Sequence, residues 1–143
     1  MPFEFRDEIA TADVAFQAWG QTVEEMFISA AEATMNVMVA DLEKIERSES
    51  REIEISSDAI DMLLFNLLQE IIYFKDAEQL LLRIENVEIV HEDGLYFVKA
   101  TGRGERIDPD RHELIVDVKA VTLHMFKIEQ TLRGWETFVI LDI

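Results

Sequence analysis

A chain of 143 residues with 49% hydrophobic and 30% charged side chains has the size and composition of one globular domain, able to bury about two-thirds of its unfolded surface. Cysteine is absent, which excludes a disulfide framework, a thiol nucleophile and thiolate metal ligands. A net charge of −17 repels phosphate backbones, so extended contact with nucleic acid is not expected; cations, basic partner surfaces or a salt-rich cytoplasm suit it better.

The start, Met1 to Glu8, has neither the basic region nor the apolar stretch of a signal peptide. The most apolar segment, Met62 to Phe74, is interrupted by Asn66, Gln69 and Glu70 and falls short of the ~20 apolar residues of a membrane span. A cytoplasmic protein without membrane association is therefore expected.

Phe3 and Phe5 alternate with charged neighbours, the period of a half-buried strand, and Ala12 to Trp19 reads as a second strand ended by Gly20. Thr22 and Glu25 have the spacing of a capping box and predict a helix to about Ala40, with Val23, Met26, Phe27, Ala30, Ala31, Val37 and Met38 on its buried face. Glu43 to Ser50 is charged and predicts an exposed strand or loop around Ile45. Arg51 to Ile55 alternates as a strand. Ser56-Ser57-Asp58 then predicts the cap of a second helix, about Ala59 to Phe74, apolar on much of its circumference.

From there on β-structure is predicted. Leu80 to Val90 forms a strand with a break at Asn86, Glu92-Asp93-Gly94 is a hairpin turn, and Leu95 to Gly102 returns. A loop from Arg103 to Arg111 precedes a long strand from Leu114 to about Ile128. Arg133-Gly134 turns the chain into a last strand, Trp135 to Asp142. Two helices and a largely antiparallel sheet predict an α+β fold, a two-layer sandwich, in a single domain over residues 1–143.

Little in the chain has the pattern of a catalytic motif. Gly102-Arg103-Gly104 lacks the spacing of a phosphate loop. Asp108-Pro109-Asp110-Arg111-His112-Glu113 resembles the acidic start of a calcium loop, but it has no glycine at the sixth position and no glutamate at the twelfth. A turn at Asp108-Pro109 accounts for it, and Asp108 and His112 stay candidates for contact with a partner. His91, His112 and His124 have no zinc-site spacing.

Two carboxylates stand apart. Asp142 ends an apolar strand beside the carboxylate of Ile143, and Asp13 opens another apolar strand. Each needs a partner. Lys or Arg, backbone amides, or a hard cation such as Ca²⁺ or Mg²⁺ would serve, and only thirteen basic residues accompany thirty acidic ones.

Several of these stretches together resemble the archease family. They are Thr11-Ala12-Asp13-Val14, Ala18-Trp19-Gly20 with Thr22-x-Glu24-Glu25, the helix Leu63-Leu64-Phe65-Asn66-x-Leu68-Gln69-Glu70, Asp108-Pro109-x-Arg111-His112-Glu113, Val118-Lys119-Ala120-Val121-Thr122-x-His124 and Ile140-Leu141-Asp142-Ile143. One departure is Ala10, where archeases usually carry histidine. The resemblance implies an accessory protein rather than an enzyme: a partner of the GTP-dependent tRNA-splicing RNA ligase that promotes its guanylylation and turnover. It also implies a calcium (or other divalent cation) site formed by Asp13, Asp142 and the carboxylate of Ile143, and a role at the ligase for Lys119. A small metal-dependent phosphoester hydrolase using Asp13, His112 and Asp142 is the alternative from another class.

Overall fold

The computed structural model describes residues 2–6 and 13–143. In chain order the elements are β1 (Phe3–Arg6), β2 (Asp13–Gly20), α1 (Val23–Met38), a 3₁₀ turn (Leu42–Lys44), β3 (Glu49–Ser57), α2 (Ile60–Glu78), β4 (Leu80–Glu92), β5 (Leu95–Arg106), β6 (Ala120–Thr131) and β7 (Gly134–Asp142). The strands form two antiparallel sheets, ordered β1-β2-β7-β6 and β3-β5-β4, and each helix touches both. The expected α+β sandwich of antiparallel strands and two main helices is the fold, with the strands shared between two sheets. No described helix is long and apolar enough to cross a membrane.

The core lies where the helices meet the sheets. α1 begins with a complete capping box, Thr22 accepting from the Glu25 amide while Glu25 reaches back to the chain before it. It buries Met26, Phe27, Ala30 and Ala31. On α2, Leu63, Leu64, Leu67, Leu68 and Ile71 are fully enclosed. Each such side chain contributes about 2 kcal/mol by leaving water, which is why this helix forms without a side-chain cap at Ala59.

Several boundaries differ from those expected, each for a local reason. Ser56 and Ser57 finish β3 instead of capping α2, and only the Ser57 hydroxyl accepts from the Ala59 amide. α2 runs on to Glu78 and is stopped by Gln79 in the left-handed region, φ 53°. Ile45, expected on an exposed strand or loop, is buried behind the 3₁₀ turn that Asp41 caps. The β4–β5 hairpin turns at Asp93 and Gly94, both at positive φ, and the break expected at Asn86 is a bulge between Ile84 and Asn86.

β5 reaches Arg106, four residues beyond its expected end. Gly104 permits this: a Cβ there would lie 1.7 Å from the Leu81 carbonyl oxygen. The long strand expected from Leu114 begins only at Ala120. Residues 113–119 form an irregular strap, bonded to the end of α1 through Ala40 N–H to Glu113 O (2.9 Å) and Ile115 N–H to Met38 O (2.8 Å). Backbone groups already bonded to α1 are not free for a sheet ladder.

Candidate carboxylate site at the end of two strands

β2 and β7 run antiparallel with Asp13 opposite Asp142, Val14 opposite Leu141, Ala15 opposite Ile140 and Phe16 opposite Val139. Directly opposed residues point to the same side of a sheet, so the two aspartates share a face with Ala15 and Ile140. Phe16, Val139 and Leu141 belong to the main core on the other face. Asp142 therefore lies on the face away from that core, although Ile140 beside it is buried. Both aspartates and Ile143 are half-buried.

On its other side Asp142 is opposed by Ala120, and the Lys119 amide donates to the Asp142 carbonyl at 2.8 Å. Among the described residues no Lys, Arg or His lies within 4.0 Å of either aspartate. One row further in on the same face, the Thr122 hydroxyl is buried and has no hydrogen-bond partner among the described residues. No group of three or more His, Asp and Glu side chains is placed to hold a metal there or elsewhere among those residues. The two side-chain carboxylates and the main-chain oxygens at Ile143 are all oxygen donors, the type that would suit Ca²⁺ or Mg²⁺ rather than a thiolate- or imidazole-seeking metal. Ala10, Thr11 and Ala12 lie outside the described residues.

Lys119 is exposed and forms no ion pair among the described residues. Its neighbour Asp117, which charge alone would pair with it, is taken by Lys75 of α2 at 2.6 Å.

The Asp108–Glu113 segment is a second cluster, self-contained. Asp108 accepts from the Asp110 amide with its carboxylate and from the Arg111 and His112 amides with its carbonyl. His112 is buried, and both ring nitrogens are engaged: Nδ1 accepts from the Asp108 amide (2.9 Å), which assigns the proton to Nε2, facing Glu105 at 2.7 Å. Glu105 also accepts from the Arg111 guanidinium and from the Glu46 amide. The Arg111 bond above all, with help from the Glu46 amide and His112 and against the cost of burial, holds the Glu105 carboxyl down at about 2. His112, expected as a contact residue, is enclosed and cannot reach a partner; Asp108 keeps part of its surface at this turn. The sequence assigns Glu105 no role, although Gly104-Glu105 is among the stretches that resemble the family; its signal is the one acidic residue at the glycine-flanked end of β5.

A family model described as the archease protein family matches residues 3–143. Protein archease of Methanosarcina mazei is 37% identical over 134 residues, covering 93% of this chain and 91% of its own. That of Methanopyrus kandleri is 35% identical over the whole of both chains. The solution structure of Methanobacterium thermoautotrophicum protein 1598 superposes with a TM-score of 0.86 at 37% identity, covering 99% of each chain. The fold is also that of a Thermotoga maritima archease, described as a possible chaperone, with a TM-score of 0.60 at 24% identity.

Proposed function

Since the chain belongs to the archease family, we propose that it serves as an accessory protein of the GTP-dependent RNA ligase of tRNA splicing, promoting the ligase's guanylylation and turnover. The observation that carries this reading is the pairing of Asp13 with Asp142 at the ends of two neighbouring strands, with no Lys, Arg or His within 4.0 Å of either among the described residues. Asp13 and Asp142 would hold a divalent cation, calcium or magnesium, through their side chains, and Ile143 through main-chain oxygens. When bound, such an ion supplies positive charge and open coordination positions for phosphate or carboxylate oxygens of the partner.

The protein's own residues have distinct tasks in this reading. Asp13 and Asp142 bring opposed charges to one place because the strand register leaves them no alternative. Lys119, one position from the strand partner of Asp142, is exposed and forms no ion pair among the described residues. The acidic surface keeps the protein from competing with the ligase for RNA. Contact is with the ligase, not with the nucleic acid.

The test is addition of the protein, at substoichiometric amounts, to a purified GTP-dependent RNA ligase with GTP and divalent cation. Formation of the guanylylated ligase should accelerate, and Asp142→Ala or Lys119→Ala should reduce the acceleration at least tenfold. No acceleration, or turnover of a phosphoester by the protein on its own, would overturn the reading. The hydrolase alternative needs a free His112 nitrogen, and both are occupied within the fold.

A further inference from the structure

The strap that leads into β6 has a weak apolar hold. Leu114, Ile115 and Val116 are exposed, and a cavity of about 210 Å³ lies beneath them against Met38, Leu81 and Ile107. Only Val118 is fully buried in its second half. The position of the chain around Lys119 therefore depends on polar bonds, and the side-chain bonds among them come from a single element.

That element is the last part of α2. Lys75 is 6% exposed, an unusual burial for an ammonium group, and it has three acceptors: Asp117 Oδ1 at 2.6 Å, the Val118 carbonyl at 2.7 Å and the carboxylate of Asp76. Two turns earlier, Gln69 Oε1 accepts from the Val121 amide at 2.9 Å. The two bonds to the strap and the one from Gln69 bracket Lys119, whose own amide donates to the Asp142 carbonyl. A buried ammonium with every proton placed is rigid, because losing one acceptor leaves a desolvated donor.

We infer that Lys75 and Gln69 are positioning residues: from α2 they brace the segment 117–121, and through its Lys119–Asp142 bond they hold the Asp142 carboxylate in register opposite Asp13. This rests on the reading of that pair as a cation site. It assigns to helix α2, which contributes no ligand, control over the geometry of the site at the strand ends. Asp76 is the internal control, since it pairs with Lys75 without belonging to the strap.

The experiment has two independent readouts on the full chain. Calorimetric titration with calcium alone measures the site, and hydrogen exchange of the Lys119 and Val121 amides, in chelator, measures the brace. Lys75→Met should weaken calcium binding about tenfold and speed exchange at Lys119 at least tenfold. Gln69→Leu should do the same at Val121, with Gln69→Glu, which keeps the acceptor, restoring protection. Asp76→Asn should change neither. Should Lys75→Met fail to fold, Asp117→Ala, which removes the acceptor at an exposed side chain, takes its place with the same expectation. Faster exchange with unchanged calcium affinity would overturn the inference, leaving Lys75 a stabilising residue only. Absence of calcium binding by the unaltered protein would overturn the cation reading. The brace is then judged on exchange, and slow Lys119 exchange in Lys75→Met would overturn it too.

Discussion

Glu105 and Asp142 are carboxylates at the far ends of neighbouring-length strands, and the protein treats them in opposite ways. Glu105 is buried and surrounded by donors: the Arg111 guanidinium, the His112 ring and the Glu46 amide. Asp142 is half-buried, faces a second carboxylate, and has no cationic side chain within 4.0 Å among the described residues. The first arrangement fastens the loop of residues 107–112 to β5. The second costs stability, on the order of 0.2–1 kcal/mol for like charges directly opposed, with no cationic side chain among the described residues placed to offset it. A fully satisfied carboxylate fastens architecture; opposed ones without a cationic partner among the described residues are where an external ligand would act.

The sharpest way to break the Glu105 side of this comparison is to move its strand. Gly104→Ala places a Cβ on the Leu81 carbonyl, and loss of β4–β5 pairing should cost more than about 4 kcal/mol in urea unfolding. Glu105→Ala removes the shared acceptor of Arg111 and His112 and should cost about 3 kcal/mol, the same with calcium as with chelator. If calcium altered that cost, the two clusters would not be independent.

The pH dependence of the fastening has a definite sign. The Glu105 carboxyl is lowered from 4.5 to about 2 on folding, so its contribution is complete above about pH 4.5 and lost as pH falls towards 2. The stability difference between the unaltered protein and Glu105→Gln should accordingly be constant above that range and shrink below it. Arg111 is partly open to solvent, which screens the effect, and a change of about 2 kcal/mol is expected in chemical denaturation across this window.

Asp142→Asn probes the opposite side and has effects of both signs. At calcium a hundredfold above its dissociation constant, the unaltered protein should gain about 2.7 kcal/mol, and the variant should lose most of this. In chelator at low salt the same variant should be slightly more stable than the parent, by about 0.5 kcal/mol, because the repulsion with Asp13 is gone. Destabilisation in chelator would mean that Asp142 is a fastening after all.

Much of this was legible from residue order. The capping box at Thr22, the hairpin turn at Asp93-Gly94 and the break at Asn86 are local signals, complete within a few residues, and they appear where expected. The ends of α2 and β5 were not legible, because Gln79 and Gly104 act on partners elsewhere in the chain. Nor was the strap. Leu114 to Val118 is an apolar, β-branched run that reads as a strand, yet Ile115 N–H and the Val118 carbonyl are bonded to α1 and α2, which pre-empts the ladder. His112 read as a surface residue because it stands among charges; Glu105, seven positions earlier, is what allows its burial.

For the site, the sequence by itself determined the chemistry: which oxygens exist, that cysteine and clustered histidine are absent, and that acids outnumber bases by more than two to one. Composition and local spacing are sufficient for that, since donor type is a property of single residues. Only the tertiary structure decided proximity. Asp13 and Asp142 are 129 positions apart in number, and the register of β2 on β7 sets them face to face. Register follows from how many residues each strand must align to bury Phe16, Val139 and Leu141 together, a condition on the whole core that no short stretch of the chain contains.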